Sequence, residues 1–312
     1  MAAAPVPEAP LAGSGVLFDG NDIKVRYTGF GDQARHPETL FVTFTPRQND
    51  RPEGFGEAFF QKLSVNAIYV VSKWNHWWNT PEFETALLAV ADFVATLRPP
   101  RLITYGSSMG GLGALLAAHY LDPTETLAVC PQYSMDTRIV PFEKRWKVYT
   151  ANITFGPDLM ASVPSKGKTY IFVDLLFDSD RRHLEMIRAV RGVTPIPVNF
   201  AGHDVAGRLN KYGILSSTLE AIVAAPLDQH HLIRTIRASR QASAHYWSML
   251  GTRALNTGRI RLAKHAATFV IPAVGTVGNK AKSAEIFTFL SSFYANRGQP
   301  AKADYYTRQL QS

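Results

Sequence analysis

Thiols are nearly missing from this sequence: Cys130 is the single cysteine among 312 residues. One thiol closes no disulfide and cannot supply the two or four thiolates of a structural zinc site. A disulfide-stapled scaffold is excluded, and a reducing compartment, the cytoplasm, is the expectation. No apolar run approaches the roughly 18–20 residues needed to span a bilayer, so no transmembrane segment is expected. The opening stretch MAAAPVPEAPLAGSG (1–15) has neither a basic start nor a continuous apolar core, and reads as a flexible tail rather than a signal peptide. Long runs of one charge are absent too. The formal charge is +8, but the excess reads as spread along the chain in short clusters such as Arg181-Arg182, which argues against a nucleic-acid arm and for a solvated basic surface.

What is present is the composition of a folded protein, with 46% hydrophobic and 19% charged residues. The length suits one large α/β domain or one domain with an appendage. Short β-type runs alternate with helical stretches over residues 16–224. An opening hairpin is expected from 16–20 and 23–29, because Asn21-Asp22 has turn chemistry. The runs 39–46, 66–73, 101–106, 126–131, 169–176 and 195–200 are almost continuously apolar, as strands covered on both faces must be. Between them lie amphipathic segments such as 80–97, with Thr80 placed to cap and Glu82 and Glu84 in the first turns. The alternation predicts an α/β fold with a mainly parallel sheet flanked by helices. From 225 to 312 the strand signals stop and an all-helical region is expected.

The sharpest local signal is Gly106-Ser107-Ser108-Met109-Gly110, a G-x-S-x-G run between an apolar strand and an amphipathic helix (103–121). A very tight strand-to-helix turn needs glycine on both sides and leaves Ser108 exposed at the top of the sheet. The helix start adds positive partial charge, and the Met109 N–H is placed for a developing oxyanion. Ser108 is the expected nucleophile.

At this point the chain resembles the α/β-hydrolase family. That resemblance covers about residues 16–224 and implies a triad in the order serine, acid, histidine. His203, just past a strand in a Gly-His-Asp turn, is the implied general base, ahead of His36 and His119. For the acid, Asp174 reads as still within its strand, and Asp180 is preferred over Asp178 in the turn that follows; Asp204 reads as a turn residue. The family takes its second oxyanion donor from the loop at 44–54. The usual His-Gly pair is absent and Pro46 has no N–H, so Thr45 or Arg47 must serve. The elbow Gly-Ser-Ser-Met-Gly-Gly and a following Pro-Gln-Tyr are similar to those of bacterial hydrolases linked to surface polysaccharide, which implies an acylated saccharide or another small ester as substrate. No metal or organic cofactor is implied.

Three further segments follow strand C-termini, where open α/β sheets bind ligands. KWNHWWN (73–79) offers Trp74, His76 and Trp77 to a sugar ring or acyl chain, or to internal packing. Residues 131–167 occupy the place of a lid and carry Tyr133, a substrate-binding candidate, and Arg138, Arg145 and Lys147, which read as solvated. The third segment is the loop after Asp180, with Arg181, Arg182 and His183 in a structural role at a helix start. In the helical region, Trp247, Leu250, Gly251, Ala254, Gly258 and Ala263 recur 40 residues later as Phe287, Leu290, Ser291, Tyr294, Gly298 and Ala303. This resembles tetratricopeptide repeats and implies a protein partner held by these helices, with an ordinary helical bundle as the alternative. Esterase, acyltransferase and scaffold readings all stay open at this level.

Overall fold

The runs that carry valine, isoleucine and phenylalanine at consecutive positions become the centre of one sheet. In the computed structural model, residues 11–47, 53–156, 158, 160, 167–276 and 284–311 are described. Eight strands form the sheet: β1 (Ala12–Asp19), β2 (Ile23–Phe30), β3 (Thr39–Phe44), β4 (Ala67–Ser72), β5 (Arg101–Ser107), β6 (Glu125–Val129), β7 (Lys168–Val173) and β8 (Thr194–Pro197). Their order is β1-β2-β4-β3-β5-β6-β7-β8. β1 pairs antiparallel with β2, and β2 with β4. From β4 onwards every pairing is parallel. Every residue of β3, β4 and β6 is buried, which is why these strands show no alternation of apolar and polar residues.

The edge strand starts earlier than its sequence indicates. Residues 12–15 fall in the stretch read as a tail, yet they pair with β2, Gly13 opposite Gly29. A side chain at Gly29 would overlap Leu11, so the glycines that mimic a linker here permit close backbone approach instead. The remainder of that tail lies outside the described residues.

Helices fill the connections: α1 (Glu57–Lys62), α2 (Glu82–Leu97), α3 (Met109–Leu116), α4 (Ala118–Leu121), α5 (Lys147–Thr150), α6 (Asp178–Val190), α7 (Val205–Lys211) and α8 (Leu215–Ala224). The core gathers Phe44, Trp78, Leu87, Leu112 and Leu115 between sheet and helices. Full burial of one such side chain contributes roughly 1.5–3 kcal/mol. Glu82 binds the β1–β2 turn by accepting from the amides of Asn21, Asp22 and Ile23, which holds its carboxyl below the usual range chiefly through the Asp22 amide.

Two compact units result: Met1–Arg208 with Ser216–Gln229, and Leu209–Leu215 with His230–Ser312. The second is helical, with α9 (Gln229–Arg240), α10 (Ala244–Asn256), α11 (Ile260–Val270), α12 (Ala284–Asn296) and α13 (Pro300–Gln311). The hairpin α10–α11 recurs as α12–α13, and helix starts fall 40 residues apart in both pairs. Gly258 and Gly298 sit at matching turns with φ of 69° and 64°. Its own core is built on Ala254, Ala263, Val270, Phe289 and Leu290.

Candidate active site

Ser108 sits between β5 and α3 with φ 55° and ψ −118°, a left-handed conformation that a serine adopts only when its surroundings impose it. The surroundings do so by close approach. A Cβ at Gly106 would overlap the Gly110 carbonyl, and one at Gly110 the Phe44 carbonyl. The turn is fixed from below by Ser108 N–H donating to Val129 O at 2.8 Å and from behind by Trp78 Nε1–H donating to Met109 O at 2.6 Å. As first residue of α3, Met109 has an N–H with no partner inside the helix.

His203 reaches Ser108 from the loop between β8 and α7. Ser108 Oγ lies 2.8 Å from His203 Nε2, and His203 Nδ1 lies 2.8 Å from Asp180 Oδ2. This is one continuous hydrogen-bonded row. The loop is held by Asp174, which accepts from Gly202 N–H at 2.9 Å and from Leu176 N–H at 2.9 Å. Asp174 therefore lies just past β7, and its carboxylate is spent on backbone. Asp178 points to solvent at the start of α6, 2.5 Å from Arg181. Asp204 accepts from Gly207 N–H at 3.1 Å, as a turn residue does.

Asp180 is 2% exposed and has a second partner, Arg145, whose Nη2 donates to Oδ1 at 2.9 Å. Arg145 is thus no solvated cation. It bridges Asp180 and the buried Glu143, and Glu143 accepts from His183 Nε2 at 3.1 Å. The Tyr133 N–H donates to His183 Nδ1 at 3.1 Å, so the proton of this imidazole is on Nε2 and the ring is neutral. Burial lowers the His183 pKa, in keeping with that state. Burial alone would raise Glu143, but hydrogen bonds from His183 and Arg145 outweigh it and hold the carboxyl well below the carboxylate range. His183, given a structural role from its place in sequence, performs it by closing this network.

Gln132, fully buried just past β6, donates from Nε2 to Ser108 Oγ at 3.0 Å. Its Oε1 has no partner among the described residues. The other oxyanion expectation fails for Thr45: its N–H is taken by Val70 O at 3.2 Å and its hydroxyl accepts from Ser72 N–H at 2.9 Å. Thr45 continues the pairing of β3 with β4, which removes it as a donor. Arg47 lays its guanidinium over Trp146 and Tyr149, 5.1 and 4.6 Å from the ring centroids. Trp146 in turn lies 5.8 Å from the His203 ring. The segment 131–167 thereby supplies a wall of the site; residues 157, 159 and 161–166 of it lie outside the described residues.

The tryptophan-rich loop divides. Trp74 is 43% exposed, whereas His76 and Trp77 are fully buried. Trp77 and Tyr133 line a cavity of about 30 Å³, room for one water rather than a sugar ring, and the Tyr133 hydroxyl is used on Asp158 at 2.6 Å. His76 accepts from Trp78 N–H at 3.0 Å and faces Asp22 O at 3.3 Å, with burial lowering its pKa to about 4. These residues buttress the elbow: the Trp78 indole lies where a side chain at Gly113 would be, 2.6 Å from its Cβ position.

Cys130, Asp180 and His203 bring possible ligand atoms within 4.8 Å of one another. Burial first, and then Asp180, push the Cys130 thiol well above its ordinary pKa, and the other two groups already bond each other. The set is spent on hydrogen bonds and does not suit a metal ion. His36 pairs with Glu38 at 3.3 Å, and His119 stacks edge-on with Tyr120; neither belongs to the row on Ser108.

No family model matches the chain, and no curated protein does. Solved structures do match. The Glycosylation Associate Protein (Gap123) complex from Streptococcus agalactiae is similar with a TM-score of 0.52 at 12% identity, over 70% of this chain and 48% of that one. A capsule O-acetyltransferase of Neisseria meningitidis serogroup A matches with a TM-score of 0.47 at 16% identity, over 67% of this chain and 93% of that one. An α/β serine hydrolase without a lid from Xanthomonas campestris matches with a TM-score of 0.40 at 15% identity, over 72% of this chain and all of that one. These are likenesses of fold. The strand order, the single antiparallel edge and the elbow after β5 give this chain an α/β-hydrolase fold.

Proposed function

We propose that the protein is a serine enzyme that opens an ester by forming an acyl-enzyme on Ser108. The observation that carries this reading is the row Ser108–His203–Asp180, with both contacts at 2.8 Å. In the first half-reaction the Ser108 hydroxyl gives its proton to His203 Nε2 as Oγ attacks the acyl carbon. Asp180 keeps the remaining imidazole proton on Nδ1 and stabilises the imidazolium. The oxyanion is met by the Met109 N–H and, in place of Thr45, by the Gln132 amide, whose buried donor is already at the reacting oxygen. Collapse returns the proton from His203 to the departing alcohol. Water, or a second alcohol, then takes the acyl group by the same steps reversed.

A cavity of about 540 Å³ lined by Trp74, Asn79, Tyr120 and Asn152 among others sets aromatic faces beside amide groups, a lining that suits a sugar ring, although Ser108, Gln132 and His203 are not among its lining residues. The two capsule- and glycosylation-related likenesses fit that class. Hydrolase and acyltransferase readings use the same residues and differ in the acceptor. The two C-terminal hairpins support a tetratricopeptide-like appendage to a catalytic domain at 16–224, and the single, free Cys130 fits a cytoplasmic location. No helix among the described residues is long and apolar enough to cross a membrane. Incubation with acetylated sugars, with released acetate and acetylated acceptor both quantified, tests the reading: acetate alone gives an esterase, transfer gives an acyltransferase, and turnover that survives Ser108→Ala overturns both.

A further inference from the structure

The two parts of the chain differ in net charge. Residues 230–312 hold 12 of the 33 lysines and arginines but only two of the 25 acidic residues, Glu285 and Asp304. That is a formal +10, and it leaves residues 1–229 at −2. The excess that reads as spread along the sequence is confined to residues 230–312. Arg234 and Arg237 are exposed on α9, opposite the buried Leu232 and Ile236; Arg261 and Lys264 are exposed on α11, and Lys302 and Arg308 on α13. Glu285, one of those two acids, pairs with His245 at 3.7 Å. Unneutralised cations repel each other and lower stability until a counter-anion arrives.

We infer that the C-terminal helices dock an acidic polysaccharide, a linear polymer with a carboxylate or phosphodiester in each repeat. The choice among polyanions rests on the proposed reading of a saccharide ester and on two features of the helices. Eight of the 12 cations are arginine, whose planar fork matches carboxylate and phosphate oxygens in pairs. Four of the aromatic rings that could stack on bases of a single-stranded nucleic acid stack on each other instead, Trp247 on Phe269 at 4.1 Å and Tyr294 on Tyr306 at 5.7 Å. Docking raises the local concentration of esters on the polymer through linkage alone.

The test measures anisotropy of labelled polygalacturonate with the full-length protein at 50 and 200 mM salt, beside neutral dextran, duplex DNA and anionic phosphatidylserine vesicles. Expected are binding to polygalacturonate that weakens steeply with salt, and none to dextran. Arg234→Glu with Arg237→Glu should weaken binding about tenfold or more and flatten the salt slope by roughly one per lost contact. Arg261→Glu with Lys264→Glu serves as an independent second pair. Undiminished binding by both variants, no binding at 50 mM salt, or tighter binding to DNA or vesicles overturns the inference. Turnover of a short aryl ester by the Arg234/Arg237 variant should stay at the wild-type rate, so loss of docking and failure of the Ser108 chemistry are read separately.

Discussion

Replacing Asp180 by asparagine tests how the acid is held. An Asn side chain offers one oxygen and one NH2 where Asp180 now accepts from both His203 and Arg145. Arg145 is a charged donor that cannot become an acceptor, so the amide oxygen turns to the guanidinium and the NH2 faces His203 Nδ1. The imidazole proton then shifts to Nε2, the nitrogen that must accept from Ser108. Loss of the working tautomer costs up to about 10⁴-fold in kcat, roughly 5.5 kcal/mol of barrier. Asp178→Asn, at an exposed site beside Arg181, should leave kcat within about twofold. Steady-state hydrolysis of a short aryl ester reads both, with folding checked by circular dichroism. A kcat for Asp180→Asn within tenfold of wild type, or an equal loss in the Asp178 variant, would mean that Asp180 does not set the tautomer of His203.

Gln132→Ala should lower kcat by about 10²- to 10³-fold with KM little changed, because the amide is asked to act on charge formed in the transition state; a change in KM alone would assign it to substrate binding. Gly110→Ala must push apart α3 and the end of β3, where the Phe44 carbonyl sits, and thermal denaturation should show a marked loss of stability together with loss of activity. The buried His76 has a pKa of about 4 against 6.5 for a free imidazole. Because the unfolded chain binds the proton first, its stabilisation is whole above about pH 6.5 and is lost as pH falls towards 4, on the order of 3 kcal/mol at full displacement. Denaturant titrations at pH 7 and pH 5 should show that fall, and His76→Gln should reduce its size; an unchanged difference would remove His76 as a source.

The parts of the site legible in sequence are those fixed by local backbone. A tight strand-to-helix turn demands glycines at 106 and 110, so Ser108 stands out in five residues. The sequence order of Asp180 and His203 follows from strands read as apolar runs. Gln132 enters the sequence reading only through the Pro-Gln-Tyr resemblance, although its position is a signal of its own: it follows β6, next to β5, at the C-terminal edge of the sheet where ligands bind. Arg145 and Glu143 left none, because a buried ion pair in an irregular segment has the same sequence as a solvated one. The tryptophans of residues 73–79 misled in part. Aromatic content is alike for a binding platform and a buttress, and only the burial of Trp77 and Trp78 against the elbow separates them. Thr45 failed for a related reason, since whether its N–H is free depends on where β4 ends.

Activation of Ser108 as a nucleophile by His203 is read by reaction with a fluorophosphonate probe followed by intact-mass and peptide analysis. One adduct per chain is expected, located on Ser108, absent in Ser108→Ala and strongly slowed in His203→Ala. No adduct on the folded protein, an adduct on another residue, or labelling at an unchanged rate in His203→Ala would contradict it.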